Sequence, residues 1–195
     1  CVGVGMPTSV PIGLNSASCG LNPASQTLAL DTTYEVSQLC NEQIQCSACN
    51  ISSPNAQCPV VFPGIEVYVY TGLITFPQAC TDWVISWSSC CRNSAITTLT
   101  STGSMYVEAG INSTICNSSP SFTTNPTPYF CAGQCYDYNH GAFDPDNDSL
   151  LYALSCPLQG AGNCILNVAG LAPAQPLFTN PPNGFNFNQI GRAHV

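Results

Sequence analysis

Three aspartates at alternate positions are the residues of this chain whose spacing is best suited to chemistry. Asp144, Asp146 and Asp148 lie in the run DPDND. Carboxylates this close repel one another when all are ionised, unless a cation lies among them. Calcium accepts about six to eight oxygen ligands in adaptable geometry, and the amide of Asn139 could supply one more. The spacing therefore predicts a calcium site formed by Asp144, Asp146, Asp148 and Asn139. The alternative is a solvated acidic turn, because Asp, Asn and Pro all favour turns.

This acidic segment does not match an EF-hand. The spacing of its aspartates resembles the start of such a loop, but Ser149 stands where the loop needs a glycine, and no glutamate follows at the twelfth position. The apolar residues 150–154 come directly after the acids. They predict a loop that leads into a β-strand.

Groups that could catalyse a reaction are few. The chain has two histidines, and one of them lies in 190–195, which we interpret as the translation of a sequencing adapter. His140 then remains, without the G-x-S-x-G pattern of a serine nucleophile. Nothing in the sequence brings two carboxylates face to face for glycoside hydrolysis. We therefore predict that the chain is not an enzyme, and that His140 is a turn residue or a neighbour of the metal ligands.

The cysteines indicate an oxidising compartment. The chain has 195 residues with 14 cysteines, only two Lys or Arg residues in total, and neither of these is a lysine. Reduced cytosolic chains rarely carry so many cysteines, whereas secreted chains use them in disulfides. Structural zinc is the alternative, but Cys46-x-x-Cys49 has no second pair at a matching spacing. The sequence predicts a disulfide-rich extracellular protein whose connectivity stays open.

An adjacent cysteine pair precedes an arginine in the segment Cys90-Cys91-Arg92. Successive residues of a strand face opposite sides, so each cysteine is expected to bond a different partner. A disulfide between the two is the alternative. Arg92 is expected to pair with an acid such as Asp82 or Glu108, or to cap carbonyl groups.

The charge of the chain limits its partners. The formal net charge is −8, and only 6% of residues are charged. Phosphate backbones are repelled by such a chain, which excludes nucleic acid. No apolar run reaches the roughly 20 residues of a membrane-spanning helix. With so few charges, the polar surface must consist mainly of Ser, Thr, Asn and Gln side chains.

Four asparagines lie in N-glycosylation sequons, namely Asn50, Asn112, Asn117 and Asn147.

The chain is predicted to be all-β. Its 16 prolines and 15 glycines recur often, no stretch of a dozen residues shows helical periodicity, and several short segments alternate apolar and polar residues. We expect strands at 65–70, 73–76, 83–87, 105–111, 129–131, 150–154 and 185–187, and weaker ones at 28–30 and 34–36. Alternation places Trp83, Ile85 and Trp87 on one face. It also places Met105, Val107, Ala109 and Ile111 on one face of the next strand, and the two faces are expected to share a sandwich core.

A change of composition after Asn112 predicts a domain boundary. The residues beyond it are rich in Ser, Thr, Asn and Pro. The expected organisation is an unassigned Cys-rich part of a first β domain at 1–57 and the remainder of that sandwich at 58–116. A second sandwich follows at 117–189, and the adapter-derived end at 190–195.

Several motifs resemble a known family. They are 63–72 (PGIEVYVYTG), 80–83 (CTDW), 89–97 (SCCRNSAIT), 117–120 (NSSP), 139–142 (NHGA) and 144–152 (DPDNDSLLY). Over 58–189 the chain resembles large extracellular proteins of Bacteroidota, of the gliding-motility-associated or PKD type with Ig-like and cadherin-like modules. The resemblance implies tandem Ig-like or cadherin-like β-sandwiches, export to the cell surface and calcium at the aspartates. Asn147 replaces the usual glycine of that loop, and asparagine tolerates the left-handed backbone.

The expected function is that of a non-enzymatic structural or adhesive module of a bacterial surface protein. Its partners would be neighbouring modules of the same chain, glycans or surfaces. One alternative is a carbohydrate-binding accessory module of a secreted hydrolase, for which Tyr68 and Tyr70 on one strand face could form a flat aromatic row. Another is a subunit of an extracellular filament.

Overall fold

The structure is a computed structural model that describes residues 5–125, 133–179, 184–189 and 192–194. Within these ranges the chain is all-β, with one 3-10 turn at Ile44–Cys46. The twelve strands are β1 (Ser9–Ser16), β2 (Leu21–Glu35), β3 (Glu66–Thr71), β4 (Trp83–Ser89), β5 (Met105–Ile111), β6 (Ser121–Phe122), β7 (Asp137–Asn139), β8 (Ala142–Phe143), β9 (Leu158–Gly160), β10 (Asn163–Cys164), β11 (Asn186–Phe187) and β12 (Arg192–His194).

The chain forms two compact units. The first contains Cys1–Ile12 and Ser25–Thr75, and the second contains Gly13–Ala24 and Phe76–Val195. In the first unit the strand order is β1-β2-β3, and β2 and β3 pair antiparallel from Ala29 opposite Thr71 to Glu35 opposite Glu66. The pairing shifts between Leu30 and Thr32, which makes a bulge at Asp31.

The second unit contains the strand order β10-β9-β5-β4-β1, with antiparallel neighbours. Two small sheets accompany it, one in the order β11-β12-β7 and one that pairs β6 with β8. Leu158 of β9 lies opposite Tyr106 of β5, so strand pairing joins residues on both sides of the predicted boundary at 116/117. The compact units also divide the chain at other positions than the predicted domains do. The adapter origin of 190–195 stays a prediction.

Strand β1 supplies much of the buried core. Its burial alternates, with Val10, Ile12, Leu14 and Ser16 at 5% exposure or less. The sequence did not predict this strand, because Pro11 and Gly13 interrupt it. The structure gives a reason for the glycine: a Cβ at Gly13 would lie 2.8 Å from the Oγ of Ser86 on β4. The Ser86 hydroxyl therefore occupies the space beside Gly13, and a larger residue at position 13 would require that hydroxyl to move.

The predicted faces of β4 and β5 lie side by side in one sheet. Trp83 pairs with Ile111 and Trp87 with Val107. Trp83 is buried and packs against the ring of Phe76 at a centroid distance of 5.1 Å. Exposure is 51% at Val107 and 37% at Met105, so the expectation that both belong to the core is wrong. Alternation identified the face correctly, but it does not reveal what covers that face.

Most of the predicted strands in the described part of the chain are confirmed. The strands at 28–30, 34–36, 65–70, 83–87, 105–111 and 185–187 correspond to β2, β3, β4, β5 and β11. The segment 129–131 lies outside the described residues. The expectation for 73–76 is wrong: the side-chain amide of Gln26 donates to the carbonyl oxygen of Thr75 at 2.7 Å and accepts its N–H at 3.1 Å, so a side chain replaces the partner strand. The strand predicted at 150–154 is also wrong: the segment is irregular, and the N–H of Tyr152 donates to the carbonyl oxygen of Gln189 at 3.1 Å.

The prediction of a disulfide-rich fold is confirmed. The described bonds are Cys19–Cys80, Cys46–Cys58, Cys90–Cys91 and Cys156–Cys164, and Cys49 is also disulfide-bonded. The expectation that Cys90 and Cys91 bond different partners is wrong. Strand β4 ends at Ser89, and Cys91 has a positive φ of 74°, so the two side chains are not held on opposite faces of a strand.

Leu14 is the residue we choose to test the core, because its side chain is fully buried between strand neighbours. We expect Leu14→Ala to lower the free energy of unfolding by about 2–5 kcal/mol, since it removes buried methyl groups and leaves a cavity. Chemical denaturation with the disulfides intact measures the change. Leu166→Ala, at a position 71% exposed, is the matched control and should leave the midpoint almost unchanged. Equal effects of the two substitutions would contradict this core.

Candidate functional site

The acidic segment forms a tight turn after β8. Asp144 is only 6% exposed, and its Oδ1 accepts the N–H groups of Asp146 at 2.9 Å and of Asp148 at 3.2 Å. The N–H of Asn147 donates to the carbonyl oxygen of Asp144 at 3.2 Å. Asn147 has a φ of 63°, in the left-handed region that asparagine tolerates. The replacement of glycine by asparagine is thus compatible with this turn.

The other predicted ligands point to different partners. Asp146 Oδ2 accepts the N–H of Ser118 at 2.5 Å, which ties the turn to the segment 117–120. Asn139 Oδ1 accepts the N–H of Gly141 at 3.1 Å. Within the described ranges, no group of three or more His, Cys, Asp or Glu side chains is arranged to hold a metal ion. In this arrangement Asp144, Asp146 and Asp148 do not converge on one point, and calcium binding stays a prediction.

His140 lies at the centre of an aromatic cluster. The ring of Tyr138 meets it edge-on at 4.9 Å, and the ring of Tyr152 stacks on it at 5.7 Å. Phe187 and Phe122 follow at 6.3 Å and 6.4 Å. The imidazole therefore packs among rings from β6, β7 and β11, which is a packing role. Sequence reasoning missed the cluster because its members are far apart along the chain.

The Asp82 carboxylate accepts three hydrogen bonds from the residues that follow β1 or end it. It accepts the hydroxyl of Ser16 at 2.6 Å, the hydroxyl of Ser18 at 2.5 Å and the N–H of Ser18 at 2.8 Å. These donors stabilise the ionised form, the Ser16 hydroxyl most of all, and lower the pKa of Asp82 to about 2. The disulfide Cys19–Cys80 lies beside the same turn. Asp82 thus fastens the end of β1 to the start of β4.

Arg92 caps carbonyl groups, as one of its two predicted roles required. Its guanidinium donates to the carbonyl oxygens of Ser104 and, at 2.7 Å, of Leu158. Its backbone N–H is shared between the carbonyl oxygens of Thr102 at 3.0 Å and Gly103 at 3.2 Å. The arginine therefore joins the loop before β5 to β9.

The aromatic pair proposed for carbohydrate stacking is half-buried. The hydroxyl of Tyr68 donates to Glu66 Oε2 at 2.5 Å, and that of Tyr70 donates to the carbonyl oxygen of Pro7 at 2.7 Å. The hydrogen bond to Glu66, and then burial, raise the pKa of Tyr68. Tyr68 and Tyr70 are thus half-buried and hydrogen-bonded within their own unit.

Two clefts of about 370 Å³ each lie within the second unit. One is lined mainly by aliphatic and proline side chains, such as Leu99, Leu154 and Pro157, with Arg92 at its wall. The other lies at the end of β5 and combines the ring of Phe76 with the side chains of Asn112 and Asn117. Their composition could not be read from the sequence, because each cleft gathers separate segments.

Comparison with known proteins identifies no relative of this chain: no protein-family model, curated protein or solved structure matches it. The disulfides indicate a compartment outside the reducing cytoplasm. Among the described residues, no helix has the length and apolar character that crossing a membrane requires.

The low pKa of Asp82 predicts how the stability of the folded protein depends on pH. A carboxyl group with a pKa of about 2 when folded and 3.8 as its ordinary value contributes stability that is fully present above pH 3.8. That contribution is lost as the pH falls from 3.8 through 2. We therefore expect Asp82→Asn to be less stable than the wild type at neutral pH, and to lose less stability over this interval.

Denaturant unfolding at a series of pH values measures the difference. Asp31→Asn, which alters an exposed carboxylate in the bulge of β2, is the control and should follow the wild-type profile. Parallel profiles for the wild type and Asp82→Asn would contradict the assigned hydrogen bonds.

Proposed function

We propose that this chain is a non-enzymatic, extracellular structural and adhesive β module that associates with a second β module and attaches to uncharged glycan surfaces. Its disulfides support this role, because they close loops in both units: Cys46–Cys58 in the first, and Cys19–Cys80 and Cys156–Cys164 in the second. Such bonds stiffen a module that works outside the cell. Attachment to a bacterial surface is part of the proposal.

One observation carries the structural role: the apolar face of the β4–β5 sheet is left open. Leu14 of β1 is buried, its neighbour Ile85 of β4 is half-buried, and Ala109 of β5 beyond them is exposed. Val107 and Met105 are exposed on the same face. In a β-sandwich a second sheet covers such a face, at a distance of about 10 Å. We infer that the occupant is another module of the same kind, for which a second copy of this chain is the probe.

Self-association tests this role. After alkylation of the free thiols, we expect sedimentation velocity to show concentration-dependent association. Val107→Glu should weaken it at least about tenfold, because it buries a charge in the apolar contact. Leu166→Glu, on another exposed apolar side chain, is the matched control and should behave as the wild type. A chain that stays monomeric at all concentrations would contradict pairing through this face.

A filament subunit is the second candidate. Cys40, Cys116 and Cys135 are free and exposed, and thiols in an oxidising compartment can join copies through disulfides. The same experiment distinguishes the two roles when the alkylation step is omitted. A ladder of disulfide-linked species on a non-reducing gel favours the filament, whereas association that survives alkylation favours the noncovalent module.

Calcium is the cofactor we propose for the acidic turn. Asp144, Asp146 and Asp148 would supply carboxylate oxygens and Asn139 an amide oxygen, provided that the turn rearranges to bring them together. The donor set supports this proposal, because three carboxylates lie within five residues. The Asp148 carboxylate is the best one to remove, because Asp144 and Asp146 also accept hydrogen bonds within the protein.

Chelation tests the calcium proposal. We expect a calcium chelator to lower the melting temperature of the wild type, because it removes a ligand bound only by the folded state. Asp148→Asn should melt at the same temperature with and without the chelator. Asp31→Asn, which removes one negative charge elsewhere, should keep the wild-type difference. If chelation leaves the wild-type melt unchanged, the chain does not use calcium for stability.

A further inference from the structure

The cleft at the end of β5 combines an aromatic ring with side-chain amides. Its wall includes Phe76, Asn112, Ser113 and Asn117, and every side chain that lines it is uncharged. Its volume of about 370 Å³ falls in the range of small-molecule sites. An apolar ring beside fixed amide groups suits a ligand that has both a C–H face and hydroxyl groups.

The ring of Phe76 is held from behind. Its centroid lies 5.1 Å from that of Trp83, with an angle of 38° between the ring planes. Trp83 is 1% exposed, and its indole N–H donates to the carbonyl oxygen of Gln78 at 3.2 Å. A half-buried ring backed by a fixed indole loses little freedom when a ligand stacks on it.

Another lining residue, Ser113, is fixed by a disulfide-bonded residue. Ser113 accepts the N–H of Cys80 through its hydroxyl at 3.0 Å, and that hydroxyl donates to the Cys80 carbonyl oxygen at 3.1 Å. The N–H of Ser113 reaches the same carbonyl oxygen at 2.9 Å. Cys80 is in turn bonded to Cys19. The backbone that carries Asn112 is therefore held in place before any ligand arrives.

Each asparagine presents a different hydrogen-bonding group. Asn112 Oδ1 accepts the N–H of Thr114 at 3.0 Å and its hydroxyl at 2.6 Å, which orients the Nδ2 group as a donor. Asn117 uses its Nδ2 on the Ser118 carbonyl oxygen at 3.2 Å, which leaves its Oδ1 as an acceptor. A sugar hydroxyl can serve as both partners, because it donates and accepts.

We infer that this cleft binds one unit of an uncharged sugar, with its C–H face on Phe76 and its hydroxyls on Asn112 and Asn117. A net charge of −8 disfavours acidic sugars, and the uncharged lining offers no group to pair with them. The inference rests on the proposed attachment to uncharged glycans, and it assigns that attachment to a particular cleft.

Saturation-transfer NMR with methyl glycosides of glucose, galactose, mannose and N-acetylglucosamine tests the site. The protein is produced in a host without N-glycosylation, so that Asn112 and Asn117 stay unmodified. We expect transfer to the ring protons of at least one glycoside. Asn112→Asp should weaken its binding at least about tenfold, because it keeps the acceptor for Thr114 and removes the donor. Phe76→Ala should do the same.

Phe178→Ala is the matched control, since Phe178 is an exposed aromatic ring outside the cleft, and it should bind as the wild type. Absence of transfer to every glycoside, or transfer that both cleft variants retain, would overturn the inference. The two proposals fail separately. Association through Val107 without sugar binding removes only the cleft assignment, whereas loss of both removes the adhesive module as well.

Discussion

The close pairing of β1 with β4 is the contact on which the second unit depends. Gly13 leaves room for the Ser86 hydroxyl beside it, and Leu14 and Trp83 are almost completely buried. At the end of β1 the Asp82 carboxylate gathers the Ser16 and Ser18 hydroxyls. The buried side chains of Leu14 and Trp83 and the ionised Asp82 carboxylate thus all lie where β1 meets β4. The apolar side chains supply the hydrophobic energy and the carboxylate fixes the register.

Two features that could meet a partner follow from this contact. Trp83 is both the core residue of β4 and the support of the Phe76 ring. Cys80, bonded to Cys19 in the turn after β1, also fixes Ser113 at the wall of the same cleft. Burial declines from β1 toward β5, which leaves Val107 at the open edge of the apolar face. The cleft and the apolar face are therefore both connected to the paired strands β1 and β4.

Local pattern was enough to predict β4 and β5, because apolar residues recur at every second position of each strand. It was not enough for β1, where Pro11 and Gly13 are unusual strand residues and the Ser86 hydroxyl that lies against Gly13 comes from a distant strand. It was also misleading at Cys90 and Cys91, because the rule for facing sides applies inside a strand and β4 has already ended. A pattern describes the residues of a segment, whereas burial and strand ends depend on what packs against it.

The candidate sites divide in the same way. The turn at Asp144 and the left-handed Asn147 are local, and residue types within a few positions predict them. The partners of Asp82 are 64 and 66 residues away, and Asp146 reaches Ser118 across 28 residues. The periodicity of apolar residues within a segment gives no information about contacts between residues so far apart. The same is true of the cleft, whose ring and amides come from segments before β4 and after β5.

The scarcity of cations explains why these surfaces rely on neutral contacts. Arg92 uses its guanidinium on the carbonyl oxygens of Ser104 and Leu158, so it serves the fold. Because the chain has no lysine and only two arginines, it has few positive charges that could attract an anionic partner. Amides, hydroxyls and apolar side chains remain, and contacts between such groups are barely screened by salt. The proposed attachment would therefore depend on shape and hydrogen bonds more than on charge.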